Sequence, residues 1–327
     1  MSKRSPIEQL DEAVEAILAR PGSALPEAGP ATLVRLAAQL RGLPRESFRV
    51  QLKTELMERS ITMASQASQA SLFREGFHTV TPYLVEPNLD ALVDFIKRVF
   101  GGLETFRSLT PGPGGGFHCE MRVGDSMLMM GGGGSMRHPA MPAALLVYVD
   151  DVDDAYRRAL EAGATSLHVP SNQGYGERDA SVRDPFGNEW YVTQPLAGNP
   201  RVEGRRTVTM YFHPAGAARM IDFLKQAFGA EEKARYEAPD GSIAHAQVQI
   251  GDSPIELGEA HGVYQPMQSM IYLYVDDVDA WYKRAVEGGG ISISAPADAP
   301  YGDRLGAVRD AFGNQWYMST PIKAASG

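Results

Sequence analysis

The sequence predicts an α+β chain in which two tandem repeats, each a pair of βαβββ units, follow a small all-α N-terminal region. Two observations predict the repeats. The segment Tyr175–Pro195 (YGERDASVRDPFGNEWYVTQP) returns 126 residues later as Tyr301–Pro321, and about half of the 48 positions from Tyr148 to Pro195 are identical at that offset. Such self-similarity within a chain points to duplication, so both copies share a fold. Within each copy, short alternating runs bracket a single amphipathic stretch, and this order occurs twice. A third observation sets the N-terminus apart. Residues 1–60 read as helices only, beginning with the capping box Ser5-Pro6-Ile7-Glu8 and apolar residues at helical spacing from Ile7 to Leu18.

The helical region occupies 1–60, a small polar linker 61–75, the first repeat 76–196 and the second 205–322. In the first repeat, strands are expected at Val80–Val85, Glu104–Leu109, Phe117–Val123 and Met127–Met130, with a helix at Leu89–Phe100. Its second half has strands at Leu145–Val149, Ser166–Val169, Ser181–Asp184 and Glu189–Thr193, with a helix at Val152–Ala162. Asp184-Pro185-Phe186-Gly187-Asn188 supplies the residues of a tight reversal, which makes Tyr175–Pro195 a hairpin. Ala311 replaces the proline in the second copy, a change that a turn tolerates. Gly131–Gly134 lacks the strand–loop–helix context and the following Lys-Ser or Lys-Thr of a phosphate cradle, and reads as a loop.

Composition narrows the function classes. The formal net charge of −9 argues against nucleic acid as a partner, which needs clustered Lys and Arg. No apolar run approaches the ~20 residues of a membrane span, and the basic start has no apolar segment behind it. The single cysteine, Cys119, excludes an internal disulfide and fits a reducing cytoplasm.

The motifs TPYL (Thr81–Leu84), FLKQAFGA (Phe223–Ala230), HAQVQIGDS (His245–Ser253) and YGERDASVRDPFG (Tyr175–Gly187) resemble the vicinal-oxygen-chelate superfamily of glyoxalases, bleomycin-resistance proteins and extradiol dioxygenases. The branch they look most like is that of the phosphonate-operon protein. The resemblance covers the chain from about residue 76 onward. It implies paired βαβββ units curving round a cavity that carries a divalent metal or a ligand. By the same resemblance, the metal positions fall on Thr81, Thr209, Met129, Glu256, near Ala144 and Met270, and on Tyr191 and Tyr317. Glu256 alone among these could ligate a metal, and one carboxylate holds a hard ion weakly. No metal or other cofactor is therefore expected.

If Gly251-Asp252 forms a two-residue turn, Gln247 lies opposite Glu256 and His245 shares their face. That trio has three readings: a weak metal site, a histidine satisfied by its neighbour, or a ligand-binding and proton-transfer pair with a tunable imidazole. The matching residues in the first repeat are His118, Glu120 and Met129, so the two cavities are not equivalent. Alternation places Leu146 and Tyr148 inward in one copy and Tyr272 and Tyr274 in the other, which assigns the more aromatic cavity to the second repeat. Tyr175 with Arg178, and Tyr301 with Arg304, stand where the family's loops close over ligand, whereas Arg183 and Arg309 brace the hairpins. His78, His138, His168, His213 and His261 are read as structural or solvated.

The expected function is metal-independent binding of a planar, apolar or aromatic small molecule bearing an acidic or carbonyl group. The alternatives are a lyase or isomerase using His245 and Glu256 for proton transfer, and a non-catalytic interaction protein. No nucleic-acid or membrane partner is expected. The protein is expected as a monomer or homodimer, with the N-terminal helices as a docking element.

Overall fold

The computed structural model describes residues 76–110, 116–132, 139–197 and 205–322. The expected N-terminal helices, the linker and His138 lie outside the described residues. Four βαβββ units follow one another. The first is β1 (Val80–Val85), α1 (Leu89–Phe100), β2 (Leu103–Thr110), β3 (Gly116–Val123) and β4 (Ser126–Gly132). The second is β5 (Ala144–Tyr148), α2 (Val152–Glu161), β6 (Thr165–Asn172), β7 (Glu177–Arg183) and β8 (Glu189–Pro195). The third is β9 (Val208–Phe212), α3 (Ala217–Phe228), β10 (Glu231–Glu237), β11 (Ile243–Ile250) and β12 (Ser253–Leu257). The fourth is β13 (Met270–Tyr274), α4 (Val278–Glu287), β14 (Ile291–Asp298), β15 (Asp303–Arg309) and β16 (Gln315–Pro321).

Local chemistry sets the element boundaries. Asp151 and Asp277 cap α2 and α4 by accepting from the backbone N–H groups of Asp154 and Ala280 at 3.0 and 3.1 Å, which accounts for the repeated YVDDVD. Gly101 and Gly229 end α1 and α3 in the left-handed region, each with φ 66°. In the β7–β8 hairpin, buried Asp184 accepts from the Phe186 and Asn188 backbone, the Asn188 amide and the Trp190 indole, all at 2.8–2.9 Å. Asp310 makes the same set with Phe312, Asn314 and Trp316. The conserved hairpin is thus a turn wired to a core tryptophan.

The units pair in twos as expected, and each takes its partner from the other repeat. Sheet I runs β2-β3-β4-β1-β13-β16-β15-β14 and sheet II runs β10-β11-β12-β9-β5-β8-β7-β6. Antiparallel pairing of β1 with β13 joins the first and fourth units, and that of β5 with β9 joins the second and third. The helices keep each repeat together across the two sheets. Trp190 of sheet II packs against Phe100 and Phe95 of α1 at 4.8 and 6.1 Å, and Trp316 of sheet I against Phe228 of α3 at 4.9 Å. Arg158 of α2 also donates to the Val99 carbonyl at 2.8 Å. Both tryptophans are fully buried, and each contributes at least the ~1.5–3 kcal/mol of a large apolar side chain. No helix among the described residues is long and apolar enough to cross a membrane.

Replacing Asp184 by alanine strands four buried donors around the hairpin. The expected cost is roughly 3 kcal/mol or more of unfolding free energy in urea titration. A change below about 0.5 kcal/mol would show that water takes over the carboxylate's role.

Candidate functional site

Period-two alternation turns one set of side chains on each sheet away from the helices. On sheet I, Phe77, Met127, Met129, Tyr272 and Tyr274 form one buried cluster, with Tyr83, Leu305 and Tyr317 half-buried at its edge. Thr81 pairs with Tyr272 across the β1–β13 junction and is buried. The polar element is a relay. The Tyr83 hydroxyl stands 3.3 Å from His118 Nδ1, and His118 Nε2 stands 3.3 Å from Glu120 Oε1. Burial, together with Tyr317, Tyr301 and Glu120 nearby, pushes the Tyr83 hydroxyl far above its ordinary range, so it keeps its proton and can donate a hydrogen bond at any physiological pH. Tyr301, about two-thirds exposed at 66%, sits over this face from the loop before β15.

Sheet II repeats the Tyr–His–Glu grouping with the acid on a different strand and without a hydrogen bond from the histidine to it. Tyr211 stands 3.3 Å from His245 Nδ1, and His245 Nε2 stands 3.1 Å from Glu256 Oε2. Gln247 is directly opposite Glu256 in the β11–β12 ladder and donates to its Oε1 at 2.8 Å, as the turn at Gly251-Asp252 implied. Glu120 and Met129 are the corresponding opposed pair on sheet I, so acid and neutral partner have exchanged strands between the copies. Beyond Tyr211, the His213 ring lies stacked between Tyr211 and Tyr264, with centroids 4.8 and 5.1 Å away, and Tyr191 meets Tyr211 edge-on at 4.9 Å. Tyr148 and Arg205 both meet Glu177, at 3.1 and 2.7 Å. Tyr175 donates to Asp179, and Thr209 is buried in β9.

Grouping the candidates by repeat therefore misplaces half of them. His118, Glu120, Met129 and Thr81 share a face with Tyr272, Tyr274, Tyr301 and Tyr317. His245, Gln247, Glu256 and Thr209 share one with Tyr148, Tyr175 and Tyr191. The tyrosine pair Tyr272 and Tyr274 belongs to the methionine-rich face, not to that of His245 and Glu256. Two further expectations are corrected. Arg178 and Arg304 point to the helical side, because alternation puts them out of phase with Glu177 and Asp303. Arg178 forks onto Asp153 at 2.7 Å through both Nε and Nη2, and Arg304 onto Asp279 at 2.6 and 2.9 Å. They brace the N-terminal turns of α2 and α4. Arg183, in phase with the concave face, is paired with Glu189 at 2.6 Å.

Several residues of these faces were not singled out in advance. Tyr83 and Tyr211 follow from counting two residues past Thr81 and Thr209. Tyr264, which meets the Ser181 hydroxyl at 3.1 Å, arrives on an irregular loop and has no periodic signal. His213 is half-buried. A hollow of about 470 Å³ lies at the ends of the hairpins among residues 139–142 and 265–268, and meets sheet II at Arg183 and Glu189. The chemistry-bearing side chains are elsewhere. Among the described residues no three His, Cys, Asp or Glu side chains are grouped to hold a metal ion.

The profile of the Glyoxalase/Bleomycin resistance protein/Dioxygenase superfamily matches residues 76–192 and 215–318. The chain belongs to this superfamily. Among curated relatives, the anthracycline biosynthesis protein DnrV of Streptomyces peucetius is 30% identical over 247 residues, covering 68% of this chain and 85% of its own. An uncharacterized protein of Mycobacterium bovis is 35% identical over 118 residues, 33% of this chain and 78% of its own. Among solved structures, glyoxalase I from Zea mays superposes with a TM-score of 0.56 at 14% identity, covering 73% of this chain and 92% of that one. A Bacillus subtilis protein described as a putative dioxygenase superposes with a TM-score of 0.51 at 13% identity, covering 73% and 83%. At these identities the glyoxalase-superfamily structures share the fold alone.

Burial, with His261 adding to it, lowers the His213 imidazole from its ordinary 6.5 to about 4. The unfolded chain therefore binds more protons at this residue between those values, and stability falls as pH drops through that window. At 1.4 kcal/mol per pKa unit the loss amounts to roughly 3 kcal/mol. In the His213→Phe variant, the slope of stability against pH between pH 6.5 and about 4 is expected to flatten by that amount, read by urea titration at stepped pH. An unchanged slope would mean that His213 is accessible to solvent.

Proposed function

We propose that this protein is a metal-independent small-molecule-binding member of its superfamily, and that sheet I takes a planar apolar or aromatic ligand bearing a carbonyl or acidic group. One observation supports this above others: the methionine and tyrosine face of sheet I, with Tyr83–His118–Glu120 as its one polar relay. Met, Tyr and Phe side chains offer polarizable contact to a flat ring. On binding, the Tyr83 hydroxyl turns from His118 Nδ1 to donate to a ligand carbonyl or carboxylate. The donor set does not suit a divalent ion, since the metal positions implied by the resemblance are occupied by Thr81, Met129 and Tyr317 on this face. A relative named for anthracycline biosynthesis is in keeping with a fused-ring ligand.

Metal analysis and calorimetry with naphthoate as probe test this reading. The expected result is no stoichiometric Ni, Zn, Fe or Mn in the purified protein. Naphthoate binding should weaken about tenfold in Tyr83→Phe, which loses one charge-assisted hydrogen bond worth ~1.5–3 kcal/mol. A tightly held metal, or a Tyr83→Phe variant that binds as wild type, would refute it.

The repeated Tyr–His–Glu geometry favours a second reading, in which His245, set between Tyr211 and Glu256, transfers protons on a ligand of sheet II. In that case His245→Ala abolishes turnover of any substrate found while leaving its affinity largely intact. Full activity of the variant would remove catalysis by this pair.

A further inference from the structure

Sheet II collects carboxylates that sheet I does not. Glu177 and Asp179 on β7, Glu189 on β8 and Glu256 on β12 are in phase with its concave face. The matching positions on sheet I are Asp303, Leu305, Gln315 and Met129, so three of the four acids have neutral counterparts. Two of the sheet II acids are neutralised by arginine, Glu177 by Arg205 at 2.7 Å and Glu189 by Arg183 at 2.6 Å. Among the described residues, neither Asp179 nor Glu256 is paired with a lysine or arginine. Asp179 is hydrogen-bonded by the Gln173 amide at 2.7 Å and by the Tyr175 hydroxyl, with His168 Nδ1 at 3.8 Å.

Glu256 supplies the independent observation. Its residue is 2% exposed, and Oε2 accepts no hydrogen bond. The ring nitrogen of His245 is 3.1 Å away but off the hydrogen-bonding direction. A buried carboxylate oxygen without a hydrogen bond is destabilising, and a donor brought by a ligand would relieve it. The acids also feel one another. Burial raises the Glu177 carboxyl above its ordinary range, and Glu256 and Asp179 add to the rise.

Aromatic rings frame this negative face. Tyr236 pairs directly with His245 in the β10–β11 ladder and is 64% exposed, and Tyr175 is 65% exposed over Asp179. Deeper in, Tyr191 and Tyr211 stand edge to face. We propose that the concave face of sheet II is a second binding site, selective for an organic cation: a protonated amine carried on a flat aromatic body. The ammonium group bonds to Glu256 Oε2 and Asp179, and the ring lies among Tyr175, Tyr211 and Tyr236. Charge-assisted hydrogen bonds and cation–π contact both act on such a ligand, and the excess of carboxylates repels an anion.

Calorimetric titration of the full chain with naphthylmethylamine and with naphthoate, matched in shape and opposite in charge, tests the site. Asp179→Asn and Glu256→Gln are each expected to weaken the amine by about tenfold, the equivalent of 1.4 kcal/mol, and to leave naphthoate binding unchanged. Asp240→Asn, an exposed acid in the β10–β11 loop, should alter neither. Thermal melts check folding, and half-buried Asp179 provides the reading if the Glu256 variant does not fold. Amine binding that is indifferent to both substitutions, or that falls together with naphthoate binding, overturns the proposal. So does stoichiometric displacement of the amine by Zn²⁺ or Mn²⁺, which would assign the carboxylates to a metal. Absence of naphthoate binding would count against the sheet I reading alone, because the amine result does not depend on it.

Discussion

Antiparallel pairing of β1 with β13 and of β5 with β9 is the constraint on which the rest of the molecule depends. A four-stranded unit presents a row of unpaired backbone groups along its first strand, and such an edge must be paired or covered. Here each edge is met by a unit of the other repeat. The two Gly-Asp-Ser turns tie the sheets to each other, each gripping the start of the first strand of the other repeat. Asp125 and Ser126 accept from the backbone N–H groups of Thr207 and Val208, at 2.7 and 3.0 Å. Asp252 and Ser253 do the same for Thr79 and Val80, at 2.8 and 2.9 Å. Gly124 and Gly251 are obligatory there, with φ 59° and 57° and a threonine hydroxyl 2.4 Å from where a Cβ would stand. His78 and Arg206 add a clasp on Asp252 at 2.9 and 3.0 Å.

Strand pairing and helix packing therefore divide the work. The helices hold each repeat together through Trp190 and Trp316, while the strands fuse the repeats into two shared sheets. Neither repeat owns a complete concave face. A single substitution in one repeat alters a face built half from the other, which is why the faces could diverge while the scaffold stayed constant. Sheet I is methionine- and tyrosine-rich; sheet II carries the carboxylates and a half-buried histidine stacked on two tyrosines. A Tyr–His–Glu grouping stands on both, with its acid on different strands.

Much of the local structure was legible in advance. The helix at Leu89–Phe100 and the strand at Val80–Val85 matched to the residue, because apolar periodicity and flanking Gly and Asn mark both ends. The opposed pair Gln247 and Glu256 followed from a two-residue turn and a period of two. The strand expected at Ser181–Asp184 begins earlier, at Glu177, because Arg178 and Asp179 satisfy themselves on α2 and on Gln173 instead of entering solvent. That same anchorage hid the direction of Arg178 and Arg304. A lone arginine beside a tyrosine reads as a ligand clamp until its partners Asp153 and Asp279 are seen to lie across the sheet.

By itself, the sequence determined the duplication, the βαβββ order, the superfamily and the identity of most side chains on the concave faces. These are encoded by neighbours a few residues apart, where turn chemistry and alternation act. Which unit pairs with which was decided only by the tertiary structure. Hydrogen bonding along a strand edge is nearly indifferent to side-chain identity, so two edges of equal length can satisfy each other whichever repeat supplies them. Burial of the tryptophans under the helices and the grip of the Gly-Asp-Ser turns select the crossed arrangement. That selection places Tyr272 beside Met129 and leaves Glu256 facing Glu177.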